Sequence, residues 1–270
     1  MAQHTALFPM KSEDAAKIQK ACAAHYDLPP ILRFELAFEA ILEMVLIPEG
    51  DFLMGSLPET FGHSSQEAPL HQVIIGQPFY IGKFAVQQRE WQAIMDQNRS
   101  KFPGVDLPVE MVTWNDCIRF CEALSERVER SVRLPCEAEW EYACRAGSGT
   151  AYYFGDEMEE LHEYGWYRGN SSFRSQPVGR KLPNAWGLHD MHGGIAEFCL
   201  DTWHPNYHGA PPYGVEWSSG GDSAYRVTRG GSWYDQGEHC RSGYRTYHAV
   251  DMASEHQGLR VVMPVEDLAE

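Results

Sequence analysis

The apolar positions change rhythm along the chain. Within residues 11–43, Ile18, Cys22 and Tyr26 recur at the four-residue spacing of one helix face. Pro29 and Pro30 interrupt that pattern. Beyond them Leu32, Leu36, Phe38, Ile41 and Leu42 form a broad apolar stripe that predicts a second helix over 31–43. From Met44 onward, short apolar runs are punctuated by turn residues. Residues 44–48 and 52–54 flank Glu49-Gly50-Asp51 as a predicted hairpin, and 73–75 and 79–84 read as further strands. Three helices follow, over 87–95, 114–128 and 137–144. Thr113 is the expected cap of the second, with Asp116 in its first turn; Cys136 occupies the cap position of the third, with Glu139 where a capping-box acid sits. From Gly147 to the end, Gly, Trp, Tyr, Asn and Pro recur with no long periodic element. That half is therefore expected to be held by turns, side-chain bonds or ions. The pattern predicts an N-terminal helical extension over 1–43 and one larger mixed domain over 44–270.

Charge narrows the class of partner. Lys plus Arg number 22 against 38 Asp plus Glu, a net charge of −16 that repels phosphate backbones and anionic membranes, so no nucleic-acid partner is expected. There is no run of about 18 apolar residues, so membrane insertion is not expected. The first ten residues carry His4 and Pro9 where an export signal needs a basic end and an apolar run. A cytoplasmic protein is the expectation. Seven scattered cysteines without a CxxC pair read as free thiols in a reducing compartment.

Five blocks then resemble the formylglycine-generating enzyme, or sulfatase-modifying factor, family. They are Met44-Val45-Leu46-Ile47-Pro48-Glu49-Gly50-Asp51-Phe52-Leu53-Met54-Gly55-Ser56, Pro108-Val109-Glu110-Met111-Val112-Thr113-Trp114, and Arg133-Leu134-Pro135-Cys136-Glu137-Ala138-Glu139-Trp140-Glu141-Tyr142-Ala143. The fourth is Asn184-Ala185-Trp186-Gly187-Leu188-His189-Asp190-Met191-His192-Gly193. The fifth is Arg229-Gly230-Gly231-Ser232-Trp233, followed by Cys240-Arg241-Ser242-Gly243-Tyr244-Arg245 and Gly258-Leu259-Arg260. The resemblance implies a compact α+β fold with C-type-lectin-like topology and little regular structure.

The same scaffold carries oxidases, sulfoxide synthases, inactive paralogues and binding proteins, so chemistry has to be read from the site. In the aerobic oxidases of this family, two cysteines with four residues between them, just after the Gly-Gly-Ser turn, bind copper(I). Here Cys240 matches the second position and Asp235 occupies the first. A hard carboxylate does not replace a thiolate toward a soft ion, so copper and the oxidase activity are not expected. Two readings stay open for Cys240. It is a core thiol in a binding or accessory protein, or it joins Asp235 and His239 in a rearranged zinc or iron centre of an oxidoreductase or peptide maturase. The sulfoxide synthases rely on a helical three-histidine domain for which residues 1–43 are too short.

By the same resemblance, Asp190, the carbonyls of Gly193 and Ile195, and Glu197 correspond to a structural calcium site, a set of oxygen donors suited to that ion. A second family site near residues 166–173 lacks a carboxylate pair and is expected to be absent. The stretch 234–255 interrupts the framework with Tyr, His and acidic residues. Ser232, Trp233, Tyr234, Tyr244, Tyr247 and His248 are accordingly expected to line a groove for a protein, peptide or small polar ligand. The N-terminal helices are expected either to pack on the body or to form a subunit interface.

Overall fold

A computed structural model describes residues 12–37 and 39–265; Phe38 of the predicted second helix, and His4 and Pro9, lie outside the described residues. Helix α1 (Ser12–Tyr26) ends one residue before Asp27, whose φ of 54° turns the chain into Leu28 and the two prolines. Its face is used within the chain. Ala15, Cys22 and Ala23 are buried, Gln19 Nε2 donates to the carbonyls of Leu46 and Trp186 at 2.8 and 3.2 Å, and Trp186 Nε1 donates to Ala15 O at 3.1 Å.

The predicted second helix is instead a pair of antiparallel strands, β1 (Ile31–Glu35) and β2 (Ile41–Ile47), with Ile31 opposite Val45 and Glu35 opposite Ile41. The apolar stripe also fits a period of two: Leu32 and Phe34 alternate along one strand, with Leu36 just past its end, and Leu42, Met44 and Leu46 along the other. β2 therefore runs through residues 43 and 44, where the extension was expected to end. The predicted hairpin around Gly50 is also replaced. β2 pairs with β5 (Phe79–Gly82), whereas β3 (Gly50–Met54) pairs with β4 (His71–Ile75), so residues 48–49 pass from one sheet to another.

β2 lies between two cores. Leu42, Met44 and Leu46 face the cluster that holds Tyr80, Phe120 and Leu124, while Val45 and Ile47 face that of Phe52, Ile81 and Trp140. Burial on both faces is why residues 44–47 read as one unbroken apolar run. Three helices pack against these cores: α2 (Gln88–Ile94), α3 (Trp114–Val128) and α4 (Glu137–Arg145). The expected caps are formed. Thr113 Oγ1 accepts from Asp116 N at 3.0 Å, and Cys136 Sγ accepts from Glu139 N at 3.4 Å while Glu139 Oε2 accepts from Cys136 N at 2.9 Å.

After the one-turn α5 (Leu161–Tyr164), the C-terminal half contains regular structure that the pattern did not predict. Its sheet has the order β8-β7-β6-β9, built from β6 (Ala196–Trp203), β7 (Asp222–Arg229), β8 (Arg245–Ala249) and β9 (Gln257–Gly258). β10 (Val262–Pro264) returns to pair with β5. β6 is buried along most of its length yet carries Glu197, Asp201 and Thr202, and its register with β7 shifts after Phe198, so no clean alternation marks it.

Helix α4 is buried throughout, and its acids anchor the C-terminal half. Glu137 takes Arg245 through both oxygens, at 2.7 and 2.8 Å. Glu141 Oε1 accepts from Arg145 Nε at 2.8 Å and Gly55 N at 3.0 Å, and its Oε2 pairs with Arg229. Arg229 Nη1 then donates to the carbonyls of Gly243 and Tyr244 at 3.1 and 2.6 Å. Among the described residues no helix is long and apolar enough to cross a membrane.

Candidate functional site

β7 delivers its last residue, Arg229, into a tight turn in which Gly230 and Gly231 have φ of 91° and 69°. The turn lies against the 3₁₀ segment Gly237–Cys240. A methyl group on Gly231 would stand 2.7 Å from His239 O and 2.9 Å from Cys240 Sγ, so only glycine fits. Asp235 closes this turn. Its Oδ2 accepts from Ser232 N at 2.9 Å and Ser232 Oγ at 2.6 Å, while Asp235 N donates to Ser232 O at 3.1 Å. The carboxylate at the first cysteine position therefore serves the backbone, a use the sequence did not signal.

Cys240 is fully buried against Ala151, Tyr152 and Leu161, and its thiol donates to Gln236 O at 3.7 Å. Burial above all, then the charges of Asp235 and Glu238, push this thiol well above its ordinary range, so it keeps its proton at neutral pH. His239 stacks instead on Tyr244, ring centroids 4.7 Å apart. Among the described residues no three His, Cys, Asp or Glu side chains converge as a metal-holding group, so Asp235, His239 and Cys240 are not gathered into one centre. One thiol and one carboxylate committed to Ser232 are not the two thiolates that a soft copper(I) ion selects.

His192 supports Cys240 from beneath and was not singled out in the sequence. Its Nε2 accepts from Tyr153 N at 3.0 Å, which leaves the proton on Nδ1 to donate to Cys240 O at 2.7 Å. Burial lowers its pKa to about 3, so this ring stays neutral.

The expected groove residues separate into several ring contacts. Ser232 and Trp233 are buried. Tyr244 goes to His239, Tyr247 to Trp203 and Tyr225 at 4.6 and 5.0 Å, and His248 to Phe198 at 5.9 Å. The buried Trp233 packs against the exposed Tyr234, ring centroids 5.6 Å apart. His256 lies 4.7 Å from the first and 4.8 Å from the second, Phe102 stands edge-on to Trp233 at 5.4 Å, and Phe173 meets Tyr234 at 6.4 Å. Phe102 and Phe173 come from distant loops, and no local pattern points to them.

The loop expected to hold calcium packs on the same turn, with Gly193 N donating to Gly230 O at 2.7 Å. Asp190, Gly193 and Gly194 all have positive φ. Asp190 Oδ2 accepts from Gly179 N at 2.7 Å, but Oδ1 is buried without a hydrogen-bond partner, and burial raises this carboxyl to about 6. Such an oxygen needs a proton or a cation. Glu197 is differently placed: Arg260 binds both its oxygens at 2.9–3.1 Å and Trp140 Nε1 donates to Oε2 at 2.6 Å. The unpartnered Asp190 oxygen is the donor left for a hard cation, whereas both Glu197 oxygens are already taken by Arg260.

A family model described as "Sulfatase-modifying factor enzyme 1-like domain" matches residues 34–265. The "Chaperone protein LppX" of Paenibacillus barcinonensis is 27% identical over 234 residues, covering 68% of this chain and 79% of that protein. The "Formylglycine-generating enzyme" of Thermomonospora curvata is 27% identical over 216 residues, covering 73% and 68%. Among solved structures, "Treponema denticola variable protein 1" superposes with a TM-score of 0.80 at 26% identity, covering 87% of this chain and 99% of the other.

Proposed function

Since the chain belongs to the sulfatase-modifying factor enzyme 1-like family, whose fold serves proteins named as an enzyme and as a chaperone, we propose that it is a binding or accessory protein working without copper oxidase chemistry. The observation that carries this reading is Asp235. It stands where the oxidases place their first thiolate, and its carboxylate is spent on Ser232. The full burial of Cys240 supports it further. The partner is a protein or peptide that docks on the surface around Tyr234, in a reducing, cytoplasmic setting that the seven unbridged cysteines favour. The test is turnover. Protein incubated aerobically with copper and a cysteinyl peptide is expected to leave the peptide intact by mass spectrometry, and its conversion to an aldehyde would overturn the reading.

Calcium belongs to the same proposal as a structural ion, supported by the unpartnered Oδ1 of Asp190. Loop 190–197 would hold it, linking β6 to the Gly-Gly turn. Calcium returned to chelator-treated protein at a hundredfold excess over its dissociation constant is expected to stabilise the fold by about 2.7 kcal/mol. That is a rise in Tm of about 5–10 °C for a chain of this size. Asp190→Ala should lose the response. An unresponsive wild type, or an equal response in the variant, counts against the ion.

A further inference from the structure

The surface around Tyr234 is more specific than a generic docking face. Ser172 and Phe173 both have φ of 56°, a left-handed conformation that side-chain-bearing residues adopt at a cost. The strain is not repaid by burial, because it displays the Phe173 ring at 57% exposure beside Tyr234 at 46%. The Arg168 guanidinium lies 5.6 Å from the first ring and 5.7 Å from the second. At the other end of the strip, Arg174 stands 5.9 Å from Phe102.

Neither arginine has a carboxylate partner among the described residues. Of the acids near this strip, Asp235 turns its carboxylate to Ser232, Asp106 pairs with Arg89, and Glu255 pairs with Lys101. In a chain with 38 acids and 22 basic residues, two guanidiniums without a carboxylate partner, one by the exposed Phe173 and Tyr234 rings and one by the half-buried Phe102, stand out. Guanidinium forks bind carboxylates, and the rings offer flat apolar contact between them. The field of the whole molecule, at a net charge of −16, disfavours an extended polyphosphate and leaves a short ligand with few charges as the better match.

We propose that the exposed Phe173 and Tyr234 rings with Arg168, and the neighbouring Arg174 and Phe102 joined to them through the buried Trp233, bind an acidic peptide segment. This rests on the reading of the Tyr234 face as a docking surface and names its ligand class. The probe is a fluorescein-labelled hexapeptide alternating Glu and Tyr, compared by anisotropy with the same peptide carrying Lys for Glu. The acidic peptide is expected to bind at least tenfold tighter, and to weaken as salt is added. The exposed-residue double variant Arg168→Ala/Arg174→Ala should lose at least tenfold in affinity with its Tm unchanged, and Phe173→Ala should weaken binding as well. Equal binding of the two peptides, no saturable binding, or an unaffected double variant would overturn the proposal. Peptide-aldehyde formation, measured on the same preparations, reports separately on the accessory reading: aldehyde defeats that reading and leaves the acid preference standing, whereas a missing acid preference without aldehyde defeats only the ligand class.

Discussion

Arg229→Ala is expected to destabilise the fold by about 3–5 kcal/mol, the range for removing one partner of a buried ion pair. Arg229 has no exposed side chain, pairs with Glu141, and donates to the carbonyls of Ser242, Gly243 and Tyr244. Truncation leaves Glu141 Oε2 without its cation, Arg145 holding only Oε1, and leaves the segment between Cys240 and β8 without its clamp. Against a whole-domain stability of about 5–15 kcal/mol, that is a large fraction to lose at one residue. Denaturant titration gives the number. Lys17→Ala, which breaks the exposed Lys17–Asp14 pair, should change stability by less than about 1 kcal/mol. A loss below that level for Arg229→Ala would mean that the network is not what pins the turn.

Gly231→Ala is the second large effect. The added methyl meets His239 O and Cys240 Sγ inside 3 Å, and the φ of 69° is itself unfavourable for alanine. The left-handed backbone costs about 1–2 kcal/mol, and the crowding adds about 1–3 kcal/mol. Because the clash is with backbone, the 3₁₀ segment Gly237–Cys240 must move. Cys240 should then become reactive toward a thiol reagent that does not reach it in the wild type, with labelling located by peptide mapping. A variant as stable as the parent, with Cys240 still inert, would show that the turn and this segment are not tightly apposed.

What the sequence discloses follows the range of the forces involved. Helix α3 and its Thr113–Asp116 cap are legible because every signal lies within 15 residues. Residues 31–43 misled because Leu32, Leu36 and Leu42 fit either period, and only the pairing of β1 with β2 and of β2 with β5 decides between them. The sheet of the C-terminal half was hidden because the polar residues of β6 are satisfied by partners far away. Glu197 meets Arg260 across 63 residues, and Asp201 accepts from Glu137 N across 64. At the site, the absence of a first cysteine was plain, but the bond from Ser232 to Asp235 was not. The aromatic strip joins three loops, of which only the stretch around Tyr234 was flagged.

The central claim concerns the donors at positions 235 and 240. It is tested most directly by titrating the reduced protein anaerobically with copper(I) against a strong competing chelator. The wild type is expected to retain no more copper than Cys240→Ser. Stoichiometric retention that disappears in Cys240→Ser would contradict the account.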